Sequence, residues 1–200
     1  VFKSIYKQDF PFHINYINYI IEHSSSTVQL KLFQTCKYFF SKTPFVPIEK
    51  LCRNSYSLEW KAVNGSHQEV LNLSNIKSKL WITNSVEYAC LINVKGFYEG
   101  IETAIGKYEV TSLILSNHNI KLKAFKFLIS SPKLIHLDMK MMRIQDEEDG
   151  DKIITFDRVI RELPKLDSFT LVFHIATDYT KIIEALKFCD IKNLKLGNIE

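Results

Sequence analysis

The sequence predicts an α/β chain, α+β overall, in which a helical N-terminal segment precedes a repeating strand–helix region that lays its strands into a curved parallel sheet. Three observations carry this. Apolar residues recur at helical spacing between residues 10 and 52. From residue 110 onward the template apolar-x-x-apolar-x-apolar returns four times, with a helical segment between successive copies. A composition of 46% hydrophobic and 24% charged residues over 200 positions is that of a globular chain, not a disordered one.

Charge and cysteine usage exclude several function classes. Lys and Arg number 26 against 22 Asp and Glu, a formal charge of +4. That falls short of the basic stripe by which a dedicated nucleic-acid binder meets phosphate, so nucleic acid is not an expected partner. Cys36, Cys52, Cys90 and Cys189 lie far apart, without the close pairs of a zinc or redox motif. No metal, cofactor or disulfide framework is expected, and a reducing compartment follows. No apolar run reaches signal-peptide or membrane-span length. The reading is a soluble intracellular chain, cytoplasmic and/or nuclear, with no membrane contact. The sequons Asn64-Gly65-Ser66 and Asn72-Leu73-Ser74 then count as chance matches. The chain opens on Val1 and stops just after Leu194-Lys195-Leu196, which reads as the start of a unit. A piece of something longer is expected.

Phe10-Pro11-Phe12 opens the first helix, in which Ile14, Ile17 and Ile21 fall on one face and Pro11 suits a first turn. Ser24-Ser25-Ser26 breaks the pattern, and Ser26 with Gln29 forms a capping box for the next helix. There Val28, Leu32, Cys36 and Phe39 make one stripe while Leu30, Phe33 and Phe40 lie off it, so that helix is apolar on more than one side. Pro44 ends it, and Pro47 starts a short third helix through Ile48, Leu51 and Cys52. So small a helical unit cannot hide all this apolar surface by itself.

The segment Phe10-Pro11-Phe12-His13-Ile14, then Leu32, then Thr35-Cys36-Lys37-Tyr38-Phe39-Phe40 resembles an F-box, in the divergent form found among nematode proteins. Phe10 stands where that family usually has Leu, and His13 where it usually has an acidic residue. The resemblance spans roughly residues 9 to 53. It implies a docking surface for the Skp adaptor, and through it cullin, made by Phe10, Pro11, Ile14, Ile17, Leu32, Cys36, Lys37 and Phe39.

Residues 54–85 read as a linking or capping segment. Ser57 to Val63 alternates toward a hairpin turn at Asn64-Gly65, and Leu80-Trp81-Ile82 reads as a strand, with Trp60 and Trp81 as core residues. The template then runs Val110-x-x-Leu113-x-Leu115, Leu134-x-x-Leu137-x-Met139, Leu166-x-x-Phe169-x-Leu171 and Ile191-x-x-Leu194-x-Leu196. An earlier copy starts at Val86 and runs through Ala89 and Leu91, followed by a helix through Ile101, Ala104 and Ile105. Helices are expected over 122–131, 153–163 and 179–188, two of them closed by Ser131-Pro132 and Leu163-Pro164. Gln145 to Asp151 is an acidic insertion suited to a surface loop, without the ligand spacing of a calcium loop. His118 and His174 fall eight residues after their template starts, where a side chain can bond the turn backbone. A strand–turn–helix unit at such intervals resembles the leucine-rich repeat, with units of about 20 to 29 residues stacked into a short solenoid over 86–200.

Strand alternation sends Ser112, Ile114 and Ser116 to the face opposite Leu113 and Leu115. By the same rule His136, Asp138 and Lys140 follow, then Ser168, Thr170 and Val172, then Asn193 and Lys195. Of these, Ser112, Ile114, His136, Asp138, Lys140, Thr170, Val172 and Lys195 are the candidate contacts for a protein target. No nucleophile elbow, phosphate-cradling glycine loop or metalloprotease motif occurs, so no catalytic residue is expected. A docking box joined to a repeat surface implies a non-catalytic substrate receptor of a Skp–cullin–F-box ubiquitin ligase. The alternative is a repeat scaffold whose N-terminal helices, residues 1–53, serve only as a cap.

Overall fold

A computed structural model describes residues 12–35, 37–42, 45–53, 59–89, 101–117, 119–150, 152–163, 165–174 and 179–199. The chain is mixed α/β and divides into two compact units, Val1–Pro44 and Phe45–Glu200.

The first unit is helical. Helix α1 (Ile14–His23) is capped by His13, whose Nδ1 accepts from the Asn15 N–H at 3.3 Å. It ends where the Ser24 N–H donates to the Ile20 carbonyl. In α2 (Ser26–Thr35) the capping differs from the expected box. Ser26 is already the first helical residue, and Ser25 ahead of it accepts the Val28 N–H at 3.4 Å. Gln29 is buried, and its Nε2 donates to the Ile21 carbonyl at 2.6 Å, pinning α2 to the last turn of α1. Helix α3 (Lys37–Lys42) follows, with Phe40 edge-on to Phe33 of α2 at 5.6 Å.

The expected third helix through Ile48, Leu51 and Cys52 is instead the strand β1 (Phe45–Arg53), which belongs to the second unit. The register of β1 shifts between Ile48 and Lys50. That irregularity brings Ile48 and Leu51, three apart, to the same buried side. A strand so interrupted imitates helical spacing. The boundary expected after residue 53 falls after residue 44, and most of the expected linker is sheet. Strands β2 (Trp60–Asn64) and β3 (His67–Leu71) form the expected hairpin, with Gly65 at φ +57° in its turn. A 3₁₀ turn (Leu73–Asn75) leads to β4 (Lys79–Ala89). Trp60 and Trp81 are buried, as expected.

After α4 (Ile101–Ala104) and β5 (Ile105–Tyr108) come β6 (Ser112–Ser116), β7 (Asn119–Lys121) and α5 (Leu122–Ile129). Next are β8 (His136–Lys140), β9 (Arg143–Asp146), β10 (Lys152–Ile153) and α6 (Phe156–Arg161). Strand β11 (Leu166–His174), helix α7 (Tyr179–Leu186) and strand β12 (Ile191–Ile199) complete the order. The large sheet runs β12-β11-β8-β6-β4-β1-β2-β3, with β5 also paired to β4. It is parallel from β12 to β1 and antiparallel from β1 to β3. A small second sheet joins β10, β9 and β7.

The template positions lie in register. Leu113, Leu137, Phe169 and Leu194 form one row across β6, β8, β11 and β12, and Leu115, Met139, Leu171 and Leu196 the next. Helix α5 covers the rows with Ala124, Phe125, Leu128 and Ile129, α6 with Val159 and Ile160, and α7 with Ile182 and Ala185. At β12, the last strand of the order, the cover ends: Leu194 and Leu196 are 44% and 38% exposed. Ile183 of α7 and Phe188 just after it are exposed as well. The earlier copy is also re-registered. Val86 pairs with Leu113 and Tyr88 with Leu115, so Val86 is the template's second position, not its first; Leu91 lies outside the described residues.

Strands β6 and β8 leave the sheet in the same way. Asn117 and Met141, at equivalent positions, adopt φ 56° and 52°. Their N–H groups donate to Lys140 and Val172 carbonyls of the next strand, both at 2.8 Å. This repeated left-handed step turns the chain out of the sheet toward the helix layer. His118 lies outside the described residues, and Met142 is buried. The acidic insertion is only partly a loop: residues 147–150 form an exposed turn. Asp146 is buried at the end of β9, accepting from the Glu148 N–H and paired with Arg158 at 3.3 Å.

Candidate functional site

Two surfaces stand out, one in each unit. On α1, Ile14, Tyr16, Tyr19 and Ile20 are exposed, the two tyrosines at 66% and 62%, and Phe12 is exposed just ahead of the helix. Tyr19 stacks on His23 at 4.1 Å. The signal for this stripe is in the sequence: Tyr16, Tyr19, Ile20 and His23 are spaced three, one and three apart, a second helical face beside the Ile14, Ile17, Ile21 one. The isoleucine face is the more hydrophobic of the two.

Of the expected adaptor contacts, Ile14 is exposed and Leu32 half-buried. Ile17 and Phe39 are buried, which withdraws them from a docking surface. Lys37 begins α3. Phe10, Pro11 and Cys36 lie outside the described residues.

The second surface is the side of the large sheet opposite the helices. The expected target contacts come together there in rows. Ser112, His136, Ser168 and Asn193 make one, Ile114, Asp138, Thr170 and Lys195 the next, and Ser116, Lys140, Val172 and Gly197 a third. His136, Lys140, Asn193 and Lys195 are exposed; Ser112, Ile114, Asp138, Ser168, Thr170 and Val172 are half-buried between neighbouring strands. Ser116 is buried and is a poor contact.

The sequence reading missed how far these rows extend. Ser85, Glu87 and Ala89 of β4 continue all three, and Lys50 and Cys52 of β1 continue two. Lys61 and Val63 of β2 extend those two by one strand more. Charges within the face are internally matched: Lys50 pairs with Glu87, and Lys140 with Asp138 at 2.8 Å. Burial pushes the Cys52 thiol up, and the nearby Lys50 and Lys61 do not reverse it, so this cysteine is not poised as a nucleophile.

At the entry end of the same strands, Glu109 gathers three donors. The Trp81 indole N–H and Lys133 both reach its Oε2, at 3.1 and 3.2 Å, and Lys107 lies 3.4 Å from Oε1 while stacking over the Trp81 ring. Partial burial pushes its carboxyl up, but Lys133 and Lys107 together outweigh this and hold it below the usual value. The knot is structural: it fixes β4, β5 and the approaches to β6 and β8.

Among the described residues no group of three or more His, Cys, Asp or Glu could hold a metal ion, and no helix is long and apolar enough to cross a membrane. No family matches the chain, and neither curated proteins nor solved structures provide a significant match.

Proposed function

We propose that the chain is a non-catalytic substrate-recognition subunit of a Skp–cullin–F-box ubiquitin ligase. In this reading the helical unit is a divergent F-box that docks the Skp adaptor. The strand–helix series is a short leucine-rich-repeat solenoid whose open sheet face holds a target protein. The observation that carries it is the exposed apolar stripe of α1, with Phe12 ahead of it, on a unit that is compact apart from the sheet. Large apolar side chains gathered on one solvent-facing helix mark a protein interaction surface. The F-box resemblance supplies the partner.

The mechanism is proximity. A target held on the sheet face would present its lysines to a ubiquitin-charged conjugating enzyme at high effective concentration. The covalent steps belong to the other subunits, and the work is cytoplasmic and/or nuclear. Mixed with recombinant Skp adaptor, the chain should co-elute with it in size-exclusion chromatography, and Tyr16→Ser with Tyr19→Ser should lower the complexed fraction. Separate elution at micromolar concentrations would reject the docking and leave a non-catalytic repeat scaffold.

A further inference from the structure

The row through the middle of the open face has a symmetric charge pattern. Across seven neighbouring strands it reads Lys61 (β2), Cys52 (β1), Glu87 (β4), Ile114 (β6), Asp138 (β8), Thr170 (β11) and Lys195 (β12). Lys61 and Lys195 stand on either side of a centre that is an apolar side chain flanked on both sides by a carboxylate; beyond Lys61 the row continues to the exposed Val70 of β3. Glu87 pairs with Lys50 of the adjoining row and Asp138 pairs through Oδ2 with Lys140, while Asp138 Oδ1 is buried without a hydrogen-bond partner among the described residues. Lys61 and Lys195 make no ion pair with a described residue. Ile114 is the midpoint, three strands from either lysine.

We propose that this row binds an extended polypeptide segment, crossing the strands, that carries carboxylates at both ends and an apolar residue at its centre. The proposal rests on the reading of this face as the surface that holds a protein target, and it names the chemistry of that target. Strands about 4.8 Å apart put each lysine about 14 Å along the sheet from Ile114. An extended chain covers that in about four residues. The segment is therefore about nine residues long, with acids near its first and last positions and an apolar side chain at its fifth. Glu87 and Asp138 would repel an acid placed near the centre, so a uniformly acidic peptide fits less well. The hydroxyls of Ser85, Ser112, Ser168 and Thr170 offer partners to the segment's backbone.

Single-stranded nucleic acid is the competing polyanion, and the pattern disfavours it. A phosphate chain would carry charge over the two carboxylates, and Lys61 and Lys195 are few for tracking a backbone.

The test is a titration of the ¹⁵N-labelled chain, without adaptor, with the peptide Glu-Glu-Ser-Gly-Leu-Gly-Ser-Glu-Glu, followed by NMR. Amide shifts should map to β2, β1, β4, β6, β8, β11 and β12. Lys61→Glu with Lys195→Glu should weaken the peptide about tenfold. The same double variant should gain affinity for the peptide whose four glutamates are replaced by lysine. As a charge-matched control, Lys123→Glu with Lys187→Glu, exposed positions away from this face, should leave binding unchanged.

Four results would each overturn the proposal: no saturable shifts, shifts that map off the sheet face, absence of charge-swap rescue in a folded double variant, or tighter binding of a thymidine decamer to the same amides. Because no adaptor is present, failure here leaves the adaptor-docking reading standing, and failure of adaptor docking leaves this result standing.

Discussion

Single residues set the local geometry, and two of them make sharp predictions. Glu109 is held below its ordinary carboxyl value by Lys133 and Lys107 against the opposing effect of burial. A carboxylate whose folded value is depressed adds stability above its unfolded pKa, about 4.3, and that contribution is lost as pH falls through the lower folded value. Glu109→Gln should therefore lower the urea midpoint at pH 7 and cost progressively less as the pH drops below about 4. A deficit that persists unchanged at pH 2 to 3 would show that the carboxylate's charge is not what matters. Gly106 makes the second prediction. A Cβ there would overlap the Phe45 ring and lie 2.8 Å from the Lys79 Cβ. Gly106→Ala should cost about 1–3 kcal/mol in chemical unfolding. Neither role was legible in the sequence, because each depends on strands far apart along the chain meeting at one edge.

At the scale of elements, legibility followed regularity. The three C-terminal helices and the strands at 112–116, 136–140, 166–174 and 191–199 have an uninterrupted period, and the expected rows of β6, β8, β11 and β12 match the observed register. The error at 45–53 came from an interrupted one. Ile48, Leu51 and Cys52, with Pro47 ahead of them, carry helical spacing, but the register shift in β1 produces the same three-residue interval in a strand. The weak copy at Val86 was displaced for a related reason. Val86 and Tyr88 are the buried pair that aligns with Leu113 and Leu115, whereas the sequence template admitted Ala89, which is exposed. If β1 is a central strand, Leu51, fully buried, is part of the sheet's own core. Leu51→Ala should then cost about 2–5 kcal/mol of the sheet unit's stability. Hydrogen exchange should show protection lost along β4 and β6. Loss confined to the helices α1 to α3 would restore the helical reading of this segment.

For the whole molecule, two compact units divide the surface by chemistry. The helical unit leaves an apolar stripe in solvent, and the sheet unit leaves a polar face on which Lys50 pairs with Glu87 and Lys140 with Asp138. The sequence made the second surface readable strand by strand through alternation, but not its full width, since β1, β2 and β4 join it by pairings that no local pattern announces. On the helical unit, Ile17 and Phe39 are buried, and the exposed large side chains of α1 include Tyr16, Tyr19 and Ile20. The central claim, that this unit docks a Skp adaptor, is tested most directly by calorimetric titration of the chain with purified adaptor. The account predicts a saturable equimolar complex that Tyr16→Ser with Tyr19→Ser weakens by at least about tenfold, while the thermal unfolding of the sheet unit is unchanged. No heat of binding, or an affinity indifferent to the double substitution in a folded chain, would contradict it.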